Sequence, residues 1–286
     1  MQDEPLLIDV AKELADQQGL RDLIFEAKGA FKETYCAITP EGQKIALKLI
    51  DQSKHNPLRT NRETKALLKC DTPFIGKLYG YGQFTSSYGT KYSWSIEEFL
   101  GGGTLTSRMG DNTLSPDVVV KYAILLSKAL AYLKEINLVH RDIKPDNIMF
   151  REQEDVPVLV DLGLVRDLSE ISLTPSWLQQ GPGTPFFSAP EQLNNEKLLI
   201  SWKTDQFSLG VVLGVCLTGQ HPFRKHGMTD HELVTAVAER KPCTSDFQNA
   251  MVSMNLEGIV KMIEPWPVRR FLTPNDSLAY FQKKGG

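Results

Sequence analysis

"VHRDIKPDNIMF", Val139 to Phe150, and "VLVDLG", Val158 to Gly163, decide how this chain reads. The first string packs Asp142, Asp146, Arg141, Lys144 and Asn147 into a few residues and closes them with apolar residues on both sides. A solvated turn scatters its charges without rule. A site that must hold a hydroxyl, a divalent ion and a phosphate places them at fixed intervals. Asp161 then stands at the end of a short apolar, β-rich run, the second acid of such a site. An Asp to take a hydroxyl proton, an Asn to hold the ion and a second Asp to bridge ion and phosphates form a phosphoryl-transfer set. That chemistry needs an in-line hydroxyl and neutralised phosphate charge more than covalent help from the protein.

Outward from these strings, the 286 residues suffice for one large domain or two small ones with a sizeable core. With 41% hydrophobic and 23% charged residues the composition is that of a globular protein, and a net charge of −3 gives no bulk-charge argument for nucleic acid or an anionic membrane. Cys36, Cys70, Cys216 and Cys243 form no C-x-x-C pair, so reduced structural thiols and a cytoplasmic setting are expected. The apolar run from Leu209 to Leu217 is too short to span a membrane, and "MQDEP" lacks the basic start of a secretory signal.

The first third reads as strands: "DLIFEA" (22–27), "ETYCAI" (33–38), "KIALKLI" (44–50), "FIGKLYGYGQF" (74–84) and "KYSWSIEEFL" (91–100). "TPEGQ" (39–43) signals a hairpin, and "NPLRTNRETKALLK" (56–69) a helix. "LLIDVAKELADQ" (6–17) is an extra helix. After the glycine run at Leu100–Gly103, read as a flexible break, the period turns helical in "SPDVVVKYAILLSKALAYLKEI" (115–136), "TDQFSLGVVLGVCLTG" (204–219), "TDHELVTAVAER" (229–240) and "LEGIVKMIE" (256–264).

Taken together, the strings resemble the signatures of the eukaryotic-type (Hanks-type) serine/threonine protein kinase family over roughly residues 22 to 280. The resemblance implies a bilobal α+β fold: a small antiparallel β-sheet lobe with its helix C, and a larger, mainly α-helical lobe. It places an N-terminal extension at 1–21, the small lobe at 22–100 and the large lobe at 101–286. "IALK" makes Lys48 the cation on the α and β phosphates of ATP, and Glu63 its partner on helix C. "HRDIKPDN" makes Asp142 the catalytic base, Lys144 the γ-phosphate contact and Asn147 a metal ligand. "DLG" makes Asp161 the main ligand of Mg²⁺, or of Mn²⁺ in its place. Ala27, Gly29, Phe31, Thr34, Ala46, Glu98, Leu100 and Met149 fall at nucleotide positions. "GTPFFSAPE" closes an activation segment that carries Ser169, Ser172, Thr174, Ser176 and Thr184. Arg141 falls where the family meets an activation-segment phosphate, with autophosphorylation favoured at Thr174. Asp205 is expected to brace the catalytic loop, and Arg270 to pair with Glu191.

Two departures stand out. The glycine loop keeps only Gly29, with Ala27, Lys32 and Thr34 at the other positions, and Glu97 falls at the usually apolar gatekeeper, where a buried carboxylate must find a partner. Lys144 and Thr184 favour the serine/threonine branch, with a protein substrate and a regulatory partner. A pseudokinase scaffold and a small-molecule kinase are the alternative readings.

Overall fold

The computed structural model of the chain describes residues 7–28, 32–52, 65, 67–68, 70–161, 166–167 and 185–285. The contacts divide the chain into two units: residues 1–71 with 76–101, and residues 72–75 with 102–286.

In the first unit, alternating strands make one five-stranded antiparallel sheet. Its strands are β1 (Arg21–Lys28), β2 (Glu33–Ile38), β3 (Lys44–Asp51), β4 (Leu78–Thr85) and β5 (Lys91–Glu98), ordered β1-β2-β3-β5-β4. The two-residue period sends Tyr35, Ala37, Ile45, Leu47 and Leu49 to one face. That face is covered by helix α1 (Leu7–Gln17), whose Val10, Ala11, Leu14 and Ala15 belong to the same buried cluster. The helix is tied down at its polar side as well, where Ser87 N, in the β4–β5 turn, donates to both carboxylate oxygens of Glu13 at 3.1 Å. Gly82 gives Trp94 room to lie across the sheet: a Cβ at position 82 would sit 2.7 Å from the indole.

The opposite face of the sheet has another character. Register places Thr34 opposite Lys48, Cys36 opposite Ala46, Lys48 opposite Ser95 and Ala46 opposite Glu97. Polar and small residues therefore line it.

The second unit is mainly helical. Helix α2 (Leu105–Met109) and the twenty-residue α3 (Pro116–Glu135) come first. Ser115 caps α3, accepting from Val118 N, and Pro116 supplies its preset first turn. Short strands β6 (Leu138–Val139), β7 (Ile148–Phe150), β8 (Pro157–Leu159) and β9 (Arg166–Asp167) follow, pairing as β6–β9 and β7–β8. Then come α4 (Pro190–Leu193), α5 (Trp202–Thr218), α6 (Asp230–Ala238), α7 (Ser245–Ser253), α8 (Glu257–Met262) and α9 (Pro274–Gln282).

Helix α5 is buried almost all round, as its unbroken apolar run demands. A Ser201–Thr204 capping box starts it and Gly219, at φ 69°, ends it. Gly210 and Gly214 let its neighbours approach: a Cβ there would lie 2.7 Å from Ile263 and 2.9 Å from Phe247.

The glycine run after β5 corrects one expectation. Gly102 N donates to Phe150 O at 2.9 Å and Phe150 N to Gly103 O at 3.0 Å. A Cβ at Gly102 would meet Arg151 O at 2.4 Å. These glycines serve close backbone approach, and the segment is pinned to β7 where the sequence suggested a flexible break.

Candidate active site

The catalytic string sits between β6 and β7, and one buried acid shapes its backbone. Asp205, in the first turn of α5, accepts from His140 N and Arg141 N, each at 2.8 Å. Burial pushes the Asp205 carboxyl above its ordinary range, against the pull of those two N–H groups. Arg141 takes a left-handed φ of 70°, and its carbonyl accepts from Gln192 Nε2 at 2.7 Å. His140 is fully buried, its Nε2 3.1 Å from Val160 O. The loop is thus held by α5, α4 and the residue before Asp161.

On this frame the polar residues converge. Lys144 Nζ donates to Asp142 Oδ2 at 2.9 Å. Asn147 Nδ2 donates to Asp142 O at 2.8 Å and to Oδ2 at 2.9 Å. Both bonds engage one carboxylate oxygen of Asp142, and no donor reaches Oδ1 among the described residues. The amide hydrogens of Asn147 are used on Asp142, which leaves its Oδ1 as a neutral oxygen donor.

Asp161 arrives through strand register. The β7–β8 hairpin pairs Ile148 with Leu159, and Val160 N donates to Asn147 O at 3.0 Å. Asp161 therefore follows the residue that pairs with Asn147, turning out of the ladder at φ 65°. Asn147 and Asp161, the two ion ligands expected from the sequence, thus lie on paired backbone segments, and an amide oxygen and a carboxylate are the donor types that suit a hard divalent cation. Asp146, beside this cluster, accepts from Thr106 Oγ1 at 2.8 Å. Met149 lies in β7, opposite Val158 and in a bridge with Thr104.

Glu191 and Arg270 form the expected pair, with both side chains wholly buried. Arg270 bonds Glu191 Oε1 at 2.7 Å and Oε2 at 2.9 Å, and its remaining N–H groups reach the carbonyls of Lys203, Glu264 and Pro265. Thr204 Oγ1 donates to Glu191 Oε1 at 3.0 Å. Every donor of the guanidinium is spent inside the fold, which marks the pair as a brace behind the loop.

The first unit carries the other sequence-derived residues. Ala27 is exposed near the end of β1, opposite Thr34. Ala46 and Leu100 are buried, and Glu98 N bonds Lys77 O at 2.9 Å. Lys48 forms an ion pair with Glu97, and Ser95 Oγ donates to Glu97 Oε1 at 2.7 Å. The carboxylate at the gatekeeper position has thus found its partners. The sequence reading named Glu63 for Lys48 and did not foresee Ser95 or Glu97 beside it. The strand alternation that puts residues 95 and 97 on one face was the available signal. Gln192 was missed as well, and nothing in its surroundings in sequence announces it. Gly29, Phe31, Glu63, Ser169, Ser172, Thr174, Ser176 and Thr184 lie outside the described residues.

A carboxylate held at one oxygen by a lysine and an amide suits phosphoryl transfer, and a five-stranded antiparallel sheet in one unit with helices in the other is an α+β architecture. The protein kinase domain profile matches residues 27–271, and the chain belongs to the protein kinase family. Similar proteins include the serine/threonine-protein kinase RUNKEL of Arabidopsis thaliana, 32% identical over 70% of this chain and 14% of its own length. The probable serine/threonine-protein kinase PknB of Bifidobacterium longum is 30% identical over 68% of this chain and 29% of its own length. The CBL-interacting protein kinase 26 of Oryza sativa subsp. japonica is 28% identical over 90% of this chain and 50% of its own length. The chain thus spans half or less of the length of these three relatives. The family uses ATP, a divalent metal and protein substrates, and two of these three relatives are named serine/threonine-protein kinases.

Proposed function

We propose that the chain acts as a magnesium-dependent serine/threonine protein kinase, moving the γ-phosphate of ATP to a protein hydroxyl and to its own activation segment. The observation that carries this reading is Asp142: one oxygen is held by Lys144 and Asn147, and the other is open to a hydroxyl. In this reading Asp142 Oδ1 orients the serine or threonine hydroxyl and receives its proton. Lys144 keeps the carboxylate fixed and brings positive charge to the transferred group. Asn147 Oδ1 and Asp161 would hold the divalent ion, which when bound neutralises charge on the phosphates. Lys48 would bind the α and β phosphates. Arg141, beside Asp142, would receive an activation-segment phosphate at Ser169, Ser172, Thr174 or Ser176.

Residues 1–21 are then an N-terminal extension, 22–100 the small lobe and 101–286 the large lobe. A reducing, cytoplasmic setting belongs to the same reading. Among the described residues no helix is long and apolar enough to cross a membrane.

The test is phosphate incorporation, read by mass spectrometry after incubation with ATP and Mg²⁺, in the wild type and in Asp142→Asn. The expected outcome is loss of roughly 10²–10⁴ in rate for the variant. The degenerate glycine loop and Glu97 favour a second reading, a nucleotide-binding scaffold with little turnover. Equal residual signal from both proteins would establish that reading in place of the first.

A further inference from the structure

The Lys48–Glu97 pair lies wholly within the first unit's sheet. Lys48 stands opposite Ser95 on β5, and Glu97 stands opposite Ala46 on β3, so the two charges are diagonal neighbours on one face. Ala46 is small, which leaves room for Glu97 to lean toward Lys48. Ser95, on the same face, donates to Glu97 Oε1, while Lys48 engages Oε2. Both carboxylate oxygens are thereby partnered. The two side chains are only 13% and 10% exposed, so water screens the pair little.

We infer that Glu97 is a positioning residue for Lys48: a sheet-borne carboxylate that orients the phosphate-binding ammonium from the strand next to it. This inference rests on the nucleotide-binding part of the function proposed above. The register of two paired strands sets the spacing, so the geometry is built into the sheet. An ammonium has three donors, and the one used on Glu97 leaves others for phosphate oxygens. Glu97 stays matched by Lys48, so a triphosphate on this face meets a neutral pair rather than a bare carboxylate. The acid at a usually apolar position then has a task, and Glu63 becomes the second of two acids that the sequence supplies for one lysine.

The experiment is a double-substitution cycle on the full chain: wild type, Lys48→Met, Glu97→Gln and the double variant. Two readouts apply, the thermal midpoint without ligand and the Kd for the nonhydrolysable ATP analogue AMP-PNP with Mg²⁺, by calorimetry. Lys48→Met strands Glu97 in a nearly dry site, and its midpoint should drop by about 5 °C or more. Adding Glu97→Gln should restore most of that loss, which Glu63→Gln should not. Glu97→Gln alone should weaken Mg·AMP-PNP about tenfold or more, and should weaken it no further in the Lys48→Met background. A midpoint that Glu97→Gln fails to restore overturns the inference, as does an unchanged Kd in the Glu97→Gln single variant. A purely structural pair would pass the thermal arm and fail the binding arm. A chain that satisfies both arms but transfers no phosphate overturns the kinase reading and leaves Glu97 in its role. A chain that transfers phosphate, with Glu97→Gln unchanged in both arms, does the reverse.

Discussion

Asp142 and its neighbours work as a unit because each side chain removes freedom from another. Lys144 and Asn147 both hold Oδ2, so the direction of Oδ1 is set before any hydroxyl arrives. Asn147→Ala should therefore lower phosphate transfer in two ways, by loss of an ion ligand and by release of Asp142. Part of the loss should remain at saturating Mg²⁺, which a metal titration of the rate checks. Glu191 and Arg270 pose the opposite case, a pair with no exposed surface and every bond turned inward. Arg270→Met leaves a buried carboxylate without its cation and takes one donor from each of three carbonyls, and should cost about 3–5 kcal/mol of stability in urea unfolding. A loss within experimental error of zero would show that water replaces the guanidinium.

At the scale of elements, His221 ties the segment after α5 to the segment before α4. It follows α5, its Nε2 donates to Phe186 O at 2.8 Å, and its Nδ1 accepts from Phe223 N at 3.3 Å. Both ring nitrogens are satisfied by the neutral form. Burial pushes the imidazole down to about 4 from an ordinary 6.5. The folded state therefore binds fewer protons than the unfolded chain between those values. Stability from this group is fully present above about pH 6.5 and is lost as pH falls toward about 4. Urea midpoints across that window should fall more steeply for the wild type than for His221→Gln.

Helix α1 makes a second element-scale prediction. Leu14 is 1% exposed beneath the sheet, and Leu14→Ala should cost about 2–5 kcal/mol in the same assay.

Much of this was legible in sequence. The alternation in "ETYCAI" and "KIALKLI" gave β2 and β3 to within a residue, because large apolar side chains recur on the face that α1 covers while small or polar ones take most of the other. Helix α3 was readable from Ser115, Pro116 and a sustained apolar period. Helices α7 and α9 were not read, since each has nine residues and few apolar positions to show a period. Their caps, Thr244 and the Thr273–Asp276 box, were the signal that remained. The Lys48–Glu97 contact was hidden for another reason. It depends on the pairing register of β3 with β5, and no local pattern encodes which residue of one strand faces which of another.

For the molecule as a whole, ligand binding and folding are linked. If the native state alone holds Mg·ATP, nucleotide at a hundredfold excess over its Kd should raise the unfolding free energy by about 2.7 kcal/mol. Removing the ion with EDTA should abolish most of the gain, and a calorimetric midpoint with and without chelator measures it.

The two helices at the ends of the chain matter beyond their own residues. Helix α1 ends at Gln17 and α9 begins at Pro274, so both fall outside the 27–271 stretch that marks the family. Yet α1 covers Tyr35, Ile45, Leu47 and Leu49, while α9 packs on α3 and buries Phe281 completely. The borders of kinship and the borders of foldability are thus different lines. A fragment trimmed to the shared stretch would bare an oily sheet at one end and an uncovered groove at the other, and should clump on expression where the untrimmed polypeptide stays dispersed.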